Sequence, residues 1–269
     1  MSLINLHNHS TYSDGTLSPC ALAKEASRAG IDYFSLTDHD TIGGWAEMGP
    51  ALKEAGIKYC CGVEISTCQH DNLHILGYGI DPESPALAAS LEDFRGRRIV
   101  RIKKVLGLLK GLGIDISFED LPPRGNRTVG RPQVADLIKE RKLVPNRSQA
   151  FKRYLAFGAA AYVEPGGPTV SEAIRAIKDA GGKAVLAHPG ALGKALDLPA
   201  WKEAGLDGIE AFYPAHTGAA TRDFISLAAR LGLFVTAGCD FHGPGSERNE
   251  MTGFEYQDEY FSEIKKLCL

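Results

Sequence analysis

The sequence predicts an α/β protein in which βα units surround a parallel sheet, with a small helical domain inserted between the fourth and fifth strands. Three observations predict it. Seven short β-rich runs alternate with Ala- and Lys-rich helical runs. The strand signal fades over one long central stretch, and five of the eight histidines fall at or just past the end of a predicted strand.

The strands are expected over Leu3 to His7, Tyr33 to Thr37, Lys58 to Glu64, Leu73 to Tyr78, Ala184 to Ala187, Gly208 to Phe212 and Leu233 to Ala237. The first helix carries its own boundaries: Ser18 as N-cap, Pro19 at the first helical position and Gly30 past the end. From Phe94 to Val163, Phe94, Ile99, Ile102, Val105, Leu106, Leu109 and Leu112 recur at helical spacing, which predicts a basic amphipathic helix. A second helix is expected from Pro132, and a third after Ser148 as N-cap, ending near Gly158. Glu164-Pro-Gly-Gly-Pro168 returns the chain to the sheet, where Thr169-Val-Ser-Glu172 reads as a capping box and Gly181-Gly182 as a helix stop. The expected division is 1–93 with 164–269 as one domain and 94–163 as a helical insertion.

A chain of 269 residues with 44% hydrophobic and 23% charged residues suits one large globular domain and excludes disordered, collagenous and coiled-coil classes. No apolar run reaches the ~18 residues of a membrane span, and MSLINLHNHS lacks the parts of a secretory signal. A cytoplasmic protein without a membrane partner is expected. Cys20, Cys60, Cys61, Cys68, Cys239 and Cys268 form no C-x-x-C pair, and two of them are adjacent, so reduced and mostly buried thiols are expected. Any metal ligands must then come from histidine and carboxylate.

Charge is unevenly spread. Residues 95–153 hold 16 Lys and Arg against 5 Asp and Glu, a net +11, whereas the rest of the chain nets −14. A basic segment folded over an acidic site would attract phosphates or nucleic acid, provided cations neutralise the site itself.

His7, His9, His39, His188 and His242 lie at predicted strand ends, the rim where active sites sit in barrels of parallel strands. Asp14, Asp38, Asp40, Glu64 and Asp240 accompany them. Imidazole with carboxylate suits Zn, Mn or Fe better than Mg or Ca. On an extended strand, residues two apart face the same way, so His7 and His9 can share one ion. His74 interrupts the apolar run Leu73-His74-Ile75-Leu76-Gly77-Tyr78, which points to burial with a partner or a metal. His70 lies in a polar turn and is expected to be an ordinary surface imidazole. Asp38 and Asp40 are expected to accept from the N–H groups of ligand histidines.

Leu6-His7-Asn8-His9-Ser10, Thr37-Asp38-His39-Asp40, Gly62-Val63-Glu64 and Gly238-Cys239-Asp240-Phe241-His242 resemble, in this order, the four signature regions of the PHP (polymerase and histidinol phosphatase) superfamily. Tyr12-Ser13-Asp14-Gly15-Thr16, His74 in its strand, Ala187-His188-Pro189 and Gly130-Arg131-Pro132 are similar to the bacterial subgroup of 3′,5′-nucleotide bisphosphate phosphatases and 5′-to-3′ exoribonucleases. The resemblance implies a distorted seven-stranded βα barrel and three divalent ions, Mn foremost with Zn or Fe as alternatives. By the same resemblance His7, His9, Glu64 and Asp240 would hold one ion, Glu64, His74 and His188 a second, and Asp14, His39 and His242 a third. Glu64 would bridge two of them.

The reading that follows is a metal-dependent phosphoesterase that removes the 3′-phosphate of 3′,5′-bisphosphonucleotides such as 3′-phosphoadenosine 5′-phosphate. It would also trim short 5′-phosphorylated RNA, with no stable DNA complex. Arg131, beside Pro132 at a helix start, and Arg98 with Arg101, three apart on one helical face, are the expected contacts to a second phosphate. His216, after Tyr213-Pro214-Ala215, is a candidate proton donor to the leaving group, with a surface imidazole the equal alternative. Phe118, Phe151, Tyr154 and Phe157 could stack a base, although aromatics at helical spacing more often build core. The rivals are a histidinol-phosphate phosphatase of the same superfamily and a non-catalytic, metal-stabilised nucleic-acid-binding module. All nine ligand positions are filled by ligand residues, which favours an enzyme.

Overall fold

The computed structural model describes residues 2–121, 127–193 and 196–268. The chain opens with β1 (Leu3–Asn5), α1 (Pro19–Arg28), β2 (Ile31–Phe34), α2 (Trp45–Glu54) and β3 (Lys58–Tyr59). α1 starts as its sequence directs, with the Ser18 hydroxyl accepting from Ala21 N–H at 3.3 Å and Gly30 at φ 71° past its end. Next come β4 (Gly62–Ser66) and β5 (His74–Tyr78), then the long helix α3 (Pro85–Gly111), α4 (Arg131–Glu140) and the single turn α5 (Arg147–Ala150). The last third alternates α6 (Val170–Asp179), β6 (Lys183–Leu186), α7 (Leu198–Glu203), β7 (Gly208–Phe212), α8 (Gly218–Leu231) and β8 (Phe234–Ala237), and ends in β9 (Phe254–Glu255) and α9 (Asp258–Lys265).

The strands make two sheets, ordered β3-β2-β1-β9 and β4-β5-β6-β7-β8, which corrects the expected seven strands to nine among the described residues. The run read as one strand from Lys58 to Glu64 breaks at the adjacent cysteines. Cys60 N–H still bonds Phe34 in the first sheet, whereas the Cys61 carbonyl accepts from Ile80 beside the second. β5 runs antiparallel to both neighbours, contrary to an all-parallel arrangement. The sheets meet at one rim through two isolated parallel bridges, Asn8 with Phe241 and His39 with Glu64. This close approach requires glycine: a Cβ on Gly238 would collide with the His7 side chain and come within 2.7 Å of Glu210 Oε1.

The principal core joins both sheets to α6 and to Leu87, Leu91 and Phe94 on the first half of α3. A second apolar cluster draws only on residues 102–161, including Ile102, Val105, Leu106 and Leu109 on the other half of α3 and Val134, Ala135 and Ile138 on α4. α3 therefore begins nine residues before Phe94, at Pro85 with Ser84 as its cap, and its 27 residues, about 40 Å at 1.5 Å per residue, pass through both cores. The helix after Arg147 is capped by Asn146 and not Ser148, the Asn146 Oδ1 accepting from Gln149 N–H at 2.9 Å. Of the six cysteines, all unpaired, only Cys60 and Cys239 are fully buried. No helix among the described residues is long and apolar enough to cross a membrane.

Candidate metal centre

β1 ends at Asn5, so His7 and His9 stand on the loop above it, steadied by the Asn8–Phe241 bridge between them. Their Nε2 atoms converge: His7 lies 3.2 Å from Glu64 Oε2 and 3.4 Å from Asp240 Oδ1, and His9 lies 3.1 Å from each. Glu64 is the hub. Its Oε2 also lies 3.2 Å from His39 Nδ1, while its Oε1 faces His74 Nδ1 at 2.8 Å and His188 Nε2 at 3.1 Å. Asp14 closes the cluster on the far side, 3.2 Å from His242 Nε2 and 3.8 Å from His39 Nε2.

All nine expected ligand residues thus come together. The antiparallel course of β5 explains His74: its start pairs with Ser66 at the end of β4, so the first residue of one strand joins the last of another at the same rim. Three sets of ligand atoms lie mutually within 4.8 Å: His7, His9, Glu64 and Asp240; His9, Asp14, His39 and His242; and His39, Glu64 and His74. The first coincides with an expected set. In the second His9 joins the expected three, and in the third His39 stands where His188 was expected.

The cluster has the character of a cation cage. His7 Nε2, His9 Nε2, Asp14 Oδ1, Glu64 Oε2, His188 Nδ1 and Asp240 Oδ1 are buried without a hydrogen-bond partner, six of the eight such atoms among the described residues. Each would cost about 1 to 3 kcal/mol if left so. Burial alone would raise the carboxyls of Glu64, Asp14 and Asp240, yet the surrounding imidazoles, with Arg248 at Asp240, hold all three well below the usual carboxylate range. Burial works to lower His9, but Asp240 and Glu64 outweigh it and raise it to about 9. Burial keeps His39 well below its ordinary value, a neutral ring with a lone pair to give. Divalent cations fit this donor set, in place of the protons it otherwise holds.

The backbone is strained where it serves the cage. Asp40, His188 and Asp240 take φ values of 52°, 28° and 55°, a region costly for residues with a Cβ.

Surrounding contacts differ in part from expectation. Glu210 orients His7, accepting from its Nδ1 at 3.0 Å, and accepts from His188 N–H at 2.8 Å. Sequence reading missed it, although a carboxylate inside the apolar strand β7 is the same signal that marked His74. Asp38 accepts from Ser10 and Ser13 at 2.6 to 2.7 Å and reaches His9 only through Ser13 Oγ, 3.4 Å from His9 Nδ1. Asp40 accepts from Ser66 N–H and Arg98 and touches no ligand ring. Arg248, also missed, binds Asp240 Oδ2 at 2.6 Å.

The three expected arginines line a cavity of about 190 Å³ that opens beside Asp14, His39 and His74. Arg98 donates to Asp40 Oδ2 at 2.9 Å and Ser66 Oγ at 2.7 Å. Arg101 and Arg131 share the Asp71 carboxylate at 2.6 and 2.9 Å. Gln133 ties this lining to the loop that carries Asp14, its Nε2 donating to the Ser13 carbonyl at 2.7 Å. His216 stands apart. Its Nδ1 donates to the Ala211 carbonyl at 2.9 Å and its Nε2 accepts from Gly190 N–H at 3.1 Å, so the neutral ring offers no proton to a leaving group. Phe118 is buried, Phe151 and Tyr154 pack on the second cluster, and Phe157 is 81% exposed.

An α/β scaffold with a cage of imidazoles and carboxylates beside an arginine wall defines a metal-dependent phosphoesterase. The PHP domain signature matches residues 5–129. A 3′,5′-nucleoside bisphosphate phosphatase of Chromobacterium violaceum is 35% identical over 91% of this chain and 89% of its own length. A 5′-3′ exoribonuclease of Haemophilus influenzae is also 35% identical, over 89% of this chain and 90% of its own. A solved structure from Bifidobacterium adolescentis, classed as a metal-dependent phosphoesterase, superposes with a TM-score of 0.87 at 29% identity, covering 98% of this chain and 95% of that one. The chain belongs to the PHP domain family.

Proposed function

We propose that the protein hydrolyses the 3′-phosphate of 3′,5′-bisphosphonucleotides, 3′-phosphoadenosine 5′-phosphate among them, to the 5′-monophosphate and phosphate. The same reaction would remove nucleotides from the 5′ end of short RNA. The observation that carries this reading is the cavity beside the cage, whose lining combines Arg98, Arg101 and Arg131 with His39 and His74. A substrate with one phosphate at the cage and another at the arginines spans both; a monoester fills only half. The names of the Chromobacterium and Haemophilus relatives support it.

Three divalent ions, Mn foremost with Zn or Fe as alternatives, would be held by His7, His9, Glu64 and Asp240, by Glu64, His74 and His188, and by Asp14, His39 and His242. Glu64, with two oxygens facing different histidines, is the residue able to bridge. When bound, such ions supply Lewis acidity toward phosphoryl oxygens and water. The protein's own part is orientation: Glu210 and the Asp71 carbonyl direct the His7 and His74 rings, and Arg98, Arg101 and Arg131 hold the distal phosphate. In this reading 94–163 is a substrate cap over the 1–93 and 164–269 domain, and the free thiols suit a cytoplasmic setting.

The test is phosphate release from 3′-phosphoadenosine 5′-phosphate and from histidinol phosphate, with added manganese and again after chelation. The bisphosphonucleotide should have the higher kcat/KM, with activity lost on chelation. Faster turnover of the monoester would overturn the substrate assignment.

A further inference from the structure

A second chamber of about 250 Å³ also opens beside the cage. Asp14 and His242 form its inner end, Phe151 and Pro132 an apolar wall, and Arg147 and Arg248 its cationic flank. It shares Asp14, Pro132, Phe151 and Arg248 with the first cavity, so the two form adjoining arms of one cleft that passes the cage at Asp14. Arg147 is held in place by Asp136, at 2.8 Å through Nε. Arg248 is held by Asp240, one of the cage carboxylates.

The two arms differ in chemistry. The first is walled by guanidinium groups. The second combines an aromatic ring and a proline with two arginines, Ser148 and Glu247, a mixture that suits a nucleoside: apolar surface for a base, cations for a phosphate and a carboxylate for ribose hydroxyls. Resting on the function proposed above, we infer that this arm is the subsite for the nucleoside esterified to the scissile phosphoryl group, the second nucleotide of a 5′-phosphorylated RNA.

The chemistry is the same for both substrates. Water adds its oxygen to phosphorus and the P–O bond to the 3′-oxygen of the first nucleotide breaks; one water proton goes to that oxygen. A bisphosphonucleotide yields a nucleoside 5′-monophosphate and inorganic phosphate. With RNA the phosphoryl group keeps its ester to the next 5′-oxygen, so the second product is a shortened RNA that again carries a 5′-phosphate. The first arm receives the 5′-phosphate in either case, while only RNA places a nucleoside in the second. Repeated removal from the 5′ end follows from this arrangement.

The experiment compares 3′-phosphoadenosine 5′-phosphate with 5′-phosphorylated diadenylate on the manganese-loaded full chain, whose products from the dinucleotide should be two equivalents of AMP. Ser148 is exposed on the chamber wall, and Ser148→Trp should obstruct it. The variant should lower kcat/KM for the dinucleotide by at least about tenfold more than for the bisphosphonucleotide, and Arg147→Met should shift the ratio the same way through KM. The ratio cancels any uniform loss of folded or metal-loaded protein. An unchanged ratio in both variants would overturn the subsite alone, whereas a wild type that cleaves the bisphosphonucleotide and not the dinucleotide would overturn the subsite and the RNA half of the proposed function, leaving the bisphosphonucleotide reading standing. Hydrolysis of neither substrate would overturn the proposed function with it.

Discussion

The Asp71 carbonyl accepts from His74 Nε2 at 3.1 Å, which turns the imidazole so that Nδ1 meets Glu64 Oε1 at 2.8 Å. The carboxylate of the same residue holds Arg101 and Arg131. One residue therefore sets the angle of a cage histidine with its backbone and of two cavity-lining arginines with its side chain.

Those two roles separate in Asp71→Asn. The backbone carbonyl survives, so metal content should match wild type, while loosened arginines should raise KM for the bisphosphonucleotide by about tenfold. Steady-state kinetics with elemental analysis measures both, and a fall in bound metal would contradict the division.

Glu64→Gln removes the charge that five histidines share. Turnover should fall by about a thousandfold or more with at least one ion lost, while circular dichroism remains that of the wild type. Full manganese occupancy with near-normal kcat would show that Glu64 is not the bridge.

His9 sets a pH dependence in the metal-free protein. Its folded value of about 9 lies above the ordinary 6.5, because Asp240 and Glu64 outweigh burial. The stabilisation it contributes is complete below about pH 6.5 and lost as pH rises through about 9. In a chelating buffer Tm should therefore decline over that interval, and manganese should flatten the decline by replacing the proton. A metal-free Tm that rises through the same window would contradict the assignment.

Gly238→Ala would press a methyl group against His7 and Glu210. The strain should cost about 1 to 3 kcal/mol and displace His7 from the cage. Thermal melts with and without manganese should show a lower Tm and a smaller gain on adding metal.

Much of the site was legible because ligand chemistry is local in sequence. His-x-His, Asp-His-Asp and Asp-Phe-His cluster at strand ends, and all nine positions converge in space. α1 and α6 begin where their caps stand, since an N-cap is a contact over three residues. Glu210 went unread, although a charge inside an apolar strand was the signal for it. The roles of Asp38, Asp40 and His216 were not, because each depends on which neighbour lies within about 3 Å after folding. Asp38 meets serines, Asp40 an arginine, and both nitrogens of His216 are engaged by backbone.

The sequence by itself determined the residue types of the cage, the basic character of the central helical stretch and the alternation of strand with helix, because composition, capping and hydrophobic period are properties of short segments. The tertiary structure decided the rest. It divided one apparent strand between two sheets at Cys60–Cys61, reversed β5 so that His74 starts a strand at the rim where the others end, and ran α3 unbroken through two cores. Sheet partner, strand direction and helix continuity are settled by which surfaces bury one another across long separations in sequence, and a window of ten residues carries no record of that choice.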